Sequence, residues 1–230
     1  MRIPQVKVPT FTMTLPVSKQ EVDFRPFLVK EEKIMLLAKD SKDPKDIANV
    51  IGDVVESCTF GKVLMDKHCL ADLQYAFLHI RGKSIGEEIE LNLLCGNCNA
   101  KTPYKLTVDD FQVSNLEISN TIHMGGVTVA MTPPTIHHYT RMYQVENVDE
   151  IFSVMAECID KIYSDEEVFQ NTPEFQNEIL DFLNGLPSDE FIKIQEYFKN
   201  IPLLYKDMKF TCNSCNTPNN VRVDSLTNFF

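Results

Sequence analysis

Nowhere in the 230 residues do about eighteen apolar residues follow one another, the length a membrane-crossing helix needs. The opening Met1-Arg2-Ile3-Pro4-Gln5-Val6-Lys7 likewise lacks an apolar run of signal-peptide length. Both absences point to a soluble protein made in a reducing compartment. Basic residues are scarce: 22 Lys and Arg stand against 33 Asp and Glu, a net charge of −11. Nucleic-acid binding needs a basic face to replace condensed counterions, so this balance disfavours it. The helical zinc-protease motif H-E-x-x-H does not occur. Gly82-Lys83-Ser84 resembles the tail of a phosphate-binding loop, but Phe77 stands where that loop needs its first glycine. There is no internal repeat and no low-complexity tract.

What is present is two short cysteine pairs far apart in the chain, Cys95-Gly96-Asn97-Cys98 and Cys212-Asn213-Ser214-Cys215. Ile89, Leu91 and Leu93 alternate with polar residues before the first pair, and Tyr104, Leu106 and Val108 do so after it. Lys209-Phe210-Thr211 and Val221-Arg222-Val223 repeat the pattern around the second. Each pair therefore reads as a knuckle at the tip of a hairpin. A two-residue gap lets both thiolates point at one ion about 2.3 Å away, and four thiolates fill the tetrahedral shell that zinc accepts. The expectation is one structural zinc per chain on Cys95, Cys98, Cys212 and Cys215. A disulfide framework suits a secreted mini-protein, and a redox pair wants a strand running straight into a helix. After Cys98 the chain runs into polar Asn99-Ala100-Lys101-Thr102-Pro103 and a strand, which disfavours the redox pair. A filled sulfur shell leaves no position for substrate, so the metal argues against catalysis.

The remaining chain is read in order. Residues 1–24 form a proline-punctuated arm, draped on its own domain or extended to a partner, with Phe11 a candidate contact. Residues 25–87 are helical: one helix from Pro26 to about Lys39, a second opened by Asp43-Pro44 with Ile47, Val50, Ile51, Val54, Val55 and Cys58 on one face, and a third after Asp66. Residues 88–112 and 205–230 are the two ribbon halves. Between them, residues 113–204 hold a hairpin turning at Gly125-Gly126, then helices only. One carries Val148, Ile151, Phe152, Met155, Ile159 and Ile162, a second Phe175, Ile179, Leu183 and Leu186, and a third Phe191, Ile194, Phe198 and Ile201. Nearly all the negative excess lies here, since Ile136 to Leu204 hold four basic and fourteen acidic residues. Cys58, Cys69 and Cys158 are core thiols or spares, and His68, His79, His137 and His138 show no shared-ligand spacing. The closing Phe229-Phe230 either completes the core or anchors another subunit. The fold class expected is α+β.

Two stretches carry a resemblance. Phe24-Arg25-Pro26-Phe27-Leu28-Val29-Lys30-Glu31-Glu32-Lys33-Ile34-Met35-Leu36-Leu37-Ala38 is the first. The second runs from Leu186-Pro187-Ser188 through Phe191-Ile192-Lys193-Ile194-Gln195-Glu196-Tyr197-Phe198 to Phe229-Phe230. Together they resemble the baseplate hub subunit of T-even-type contractile-tailed phages. The resemblance implies a non-enzymatic virion or assembly protein of the tail baseplate, made in the bacterial cytoplasm and partnered by other hub and tail proteins. The alternative is a zinc-ribbon nucleic-acid-binding or transcription-accessory protein, which the acidic balance disfavours.

Overall fold

A computed structural model describes residues 6–39, 44–142, 147–165 and 167–224. The chain divides into two compact units: unit 1 is Met1–Ser114 with Leu203–Phe230, and unit 2 is Asn115–Pro202. Helices and small antiparallel sheets are mixed in both.

Within the proline-punctuated stretch, unit 1 opens with a hairpin: β1 (Phe11–Thr14) pairs with β2 (Glu21–Phe24). The period-two pattern buries Met13, Val22 and Phe24 on one side. The loop between the strands is fixed by Asp72, whose carboxylate accepts the N–H groups of Val17 and Ser18 at 2.8 and 2.9 Å. Helices α1 (Val29–Lys39), α2 (Pro44–Cys58) and α3 (Leu70–Ile85) follow. α1 begins at Val29, not Pro26, because the Glu31 carboxylate reaches back to the Leu28 N–H at 2.8 Å, half of a capping box. Asp43, expected to cap α2, lies outside the described residues. On α2 the expected stripe holds, with Ile51, Val54, Val55 and Cys58 buried, and α3 buries Leu73, Phe77 and Ile80 as its spacing requires.

β3 (Glu88–Leu94) and β4 (Lys101–Thr107) make one hairpin, and β10 (Leu204–Thr211) with β11 (Pro218–Val223) makes another. A short strand β5 (Gln112–Val113) pairs with the start of β10. There the Ser114 N–H donates to the Leu203 carbonyl at 2.9 Å, so the chain leaves unit 1 and returns to it at adjacent points.

Unit 2 corrects two expectations. β6 (Thr121–Met124) and β7 (Val127–Met131) form the anticipated hairpin, with Gly125 and Gly126 at φ of 49° and 89°, as a two-residue turn requires. After α4 (Ile136–Met142) and α5 (Val148–Glu157), however, the expected continuation of the α5 stripe through Ile159 and Ile162 is strand β8 (Ile159–Tyr163). It pairs with β7 on one side and with β9 (Val168–Gln170) on the other, giving a four-stranded sheet. The register shifts between Ala130 and Met131, leaving Asp160 as an extra residue. That bulge turns both Ile159 and Ile162 inward, three residues apart, which in sequence imitates a helical stripe. α6 (Gln176–Asn184) and α7 (Ser188–Lys199) supply Ile179, Leu183, Ile194 and Tyr197 to a core shared with Val129, Met131, Met155 and Ile159. Phe175, expected to face inward, is exposed just before α6.

Candidate metal centre

The first cysteine pair lies in the loop joining β3 to β4, the second in the loop joining β10 to β11. Both loops adopt the same backbone path. Cys95 N–H donates to Ala100 O at 3.0 Å and Asn99 N–H to Cys95 O at 2.9 Å. Cys212 N–H donates to Thr217 O, and Asn216 N–H to Cys212 O, each at 3.0 Å. Closing so tight a loop needs a left-handed residue after the second cysteine, and Asn99 and Asn216 both have φ of 56°. Asparagine visits that region more readily than other residues with a Cβ. The shared pentapeptide C-x-x-C-N was therefore the legible signal of this turn.

The knuckles bring the four sulfurs together. All four Sγ atoms lie within 4.8 Å of one another, a group that can hold a metal ion. Cys95 Sγ is 3.7 Å from Cys215 Sγ, and Cys98 Sγ is 3.6 Å from Cys212 Sγ. A tetrahedron of sulfurs about 2.3 Å from a central ion has edges of about 3.75 Å, so these separations fit a four-thiolate site. Cys95 and Cys212 are buried, while Cys98 is exposed and Cys215 half-buried.

Donors surround the sulfurs. The N–H of Asn97 points at Cys95 Sγ and that of Ser214 at Cys212 Sγ, each at 3.4 Å. Two side chains missed in the sequence tie one knuckle to the other. Asn219 donates to Cys95 Sγ at 3.5 Å and accepts the Gly96 N–H at 2.9 Å, and Asn97 donates towards Cys215 Sγ at 3.8 Å. Such donors spread thiolate charge and orient the ligands. Nothing in the spacing singled out Asn219, seven residues beyond Cys212. The Thr217 hydroxyl, 3.2 Å away, leads the causes that bring Cys215 down to about 6. At Cys98 the Ala100 N–H pulls downward, but the neighbouring sulfurs of Cys215 and Cys212 prevail and raise it to about 12.

The other three thiols are inert core residues. Burial pushes Cys58 up to about 11 and Cys69 and Cys158 up to about 12. His138 is structural: its Nδ1 accepts the Thr135 N–H at 3.0 Å at the start of α4, and its Nε2 lies 3.3 Å from Glu157. Gly82-Lys83-Ser84 forms the last turn of α3, where Lys83 pairs with Glu87 and Ser84 Oγ donates to Ile80 O. Phe11 is half-buried, with its ring 5.7 Å from that of Phe24 and the Lys83 ammonium over it. Phe229 and Phe230 lie outside the described residues. Among the described residues no helix is long and apolar enough to cross a membrane.

The fold and site thus define a class: mixed helix and sheet proteins whose distant hairpins meet at a four-cysteine group able to hold a metal. A family model described as T4 bacteriophage base plate protein matches residues 8–230, nearly the whole chain. This chain belongs to that family. No curated protein and no solved structure matched it.

Proposed function

We propose that the chain is a non-enzymatic structural component or assembly factor of the baseplate hub of a contractile phage tail, held by one structural zinc ion on Cys95, Cys98, Cys212 and Cys215 and acting through protein contacts. The observation that carries this reading is the family match across residues 8–230. The family implies a place in the virion tail and neighbours among baseplate proteins, and it suggests a non-enzymatic role. The chemistry of the site supports the same reading. Four sulfurs at these separations complete a zinc shell and leave no open position, so the ion supplies folding energy rather than a reaction. It closes a loop of more than a hundred residues between Cys98 and Cys212. The exposed edge of Phe11, together with Phe229 and Phe230, is proposed to contact neighbouring subunits. The test is native mass spectrometry of the chain co-expressed with the other tail proteins of its genome. A stoichiometric complex with one zinc per chain is expected. A zinc-bearing chain that joins none of those proteins overturns the baseplate role, and a complex without zinc overturns the metal assignment.

A further inference from the structure

Helix α1 is buried along a narrow strip. Glu31 and Ala38 turn inward, whereas Val29 and Leu36 are 66% exposed, Leu37 is 76% and Ile34 is 44%. At about 100° per residue these four span an arc of about 160°. Lys33 and Lys30, whose ammonium also lies 3.4 Å from Glu31, fall inside that arc, and Glu32 falls about 40° beyond it. A lone exposed leucine needs no explanation, but four large apolar side chains on an eleven-residue helix make a patch.

Unit 2 carries a patch of opposite character. β9 is the edge of its sheet, and Val168 is 60% exposed. Its cross-strand neighbour Tyr163 shares that face and is exposed too, while Phe169, on the other face of the strand opposite Ile162, and Phe175 beyond it are also exposed. Asp165, Glu167, Glu174 and Glu178 stand exposed in and beside the same stretch. Between Asn115 and Pro202 there are four basic and fifteen acidic residues, so unit 2 carries the whole net charge of −11 and unit 1 is neutral.

We infer that the α1 face of one copy docks on the acidic apolar patch around β9 of a second copy. This goes beyond the baseplate reading and does not rest on it. Pairing like with like sets Lys30 and Lys33 against lysines, or Asp165 and Glu167 against carboxylates. Pairing unlike faces puts lysines against carboxylates and covers both sets of apolar side chains. Such a contact is heterologous: each added copy leaves one face of each kind free, so the chains form a ring if the rotation closes and an open filament if it does not.

Sedimentation velocity of the zinc-loaded full chain, over a concentration series at low and high salt, tests this. Reversible association that grows with concentration and weakens in salt is expected. Leu36→Asp disables the α1 face, Val168→Lys disables the β9 face, and both positions are exposed enough to leave folding intact, checked by zinc stoichiometry and circular dichroism. Each variant alone should be monomeric, and an equimolar mixture should give a one-to-one dimer and nothing larger, since one intact face of each kind remains. Lys33→Glu, which reverses charge alone, should weaken wild-type association and flatten its salt dependence. A wild-type monomer at about 100 μM overturns the inference. So does association that survives Leu36→Asp, or a mixture of the two variants that stays monomeric.

Discussion

The Arg25 guanidinium meets Glu31 Oε1 at 2.8 Å and the Ser57 hydroxyl at 3.0 Å, while the Arg25 backbone N–H donates to Cys58 O. One residue thus locks the end of β2 to α1 and to the last turn of α2. Arg25 is 9% exposed and Glu31 is 2%, so neither charge has water to replace a lost partner. Arg25→Ala should cost about 3 kcal/mol in chemical denaturation, because it takes the nearest cation from a buried carboxylate and leaves it Lys30 at 3.4 Å, the Leu28 N–H and the Ser57 hydroxyl. Replacing both residues with methionine should recover most of that loss, since it removes the charge as well as the pair. Burial by itself would raise the Glu31 carboxyl, yet Arg25, the Leu28 N–H and Ser57 bring it down to about 2. The folded value lies below the ordinary 4.5, so the contribution is complete above pH 4.5 and is lost as pH falls towards 2. In Glu31→Gln the slope of stability against pH should flatten across that window. Phe24 to Ala38 carried the family resemblance, and this pair sits within it. The sequence displayed an arginine and a glutamate six positions apart, but nothing in that spacing revealed a buried pair.

At the scale of elements, the knuckles were legible and β8 was not. C-x-x-C between alternating strands specifies a local turn, and local turns follow from neighbouring residues alone. The left-handed Asn216 is part of that turn. Asn216→Gly should preserve zinc affinity, whereas Asn216→Val should cost about 1–2 kcal/mol and weaken zinc retention in a chelator competition. Ile159 and Ile162 misled because a bulge changes the phase of a strand, and a bulge depends on the partner strand. The same holds for the exposed apolar side chains of α1: composition shows that Leu36 and Leu37 are present, but only packing shows that nothing in the described unit covers them.

For the whole molecule, the sulfur site joins loops more than a hundred residues apart, and its removal should act on unit 1. Cys212→Ser or a strong chelator at neutral pH should lower the melting temperature of unit 1 while the transition of unit 2 stays in place, as two separable peaks in calorimetry. Thiolates must shed protons to bind metal, so zinc content should fall as pH is lowered. The adjacency of Ser114 and Leu203 predicts that residues 115–202 can be excised. A chain joining Ser114 to Leu203 through a short glycine-serine turn should fold, bind one zinc and lose the full negative charge, read by metal analysis and ion-exchange elution. Failure of that chain to hold zinc would show that unit 1 needs unit 2 to fold.

The four metal-ligand candidates, the α2 and α3 faces, the Gly125-Gly126 hairpin and the acidic character of the inserted stretch were all legible in the residues, because each is written in neighbouring positions or in a simple count. Long-range packing settled that Asn219 bridges the two cysteine pairs, that Arg25 is buried against Glu31 and that β8 joins a sheet. Those facts depend on contacts between residues distant in the chain, and the free energy that selects them comes from burial and pairing that no local pattern records.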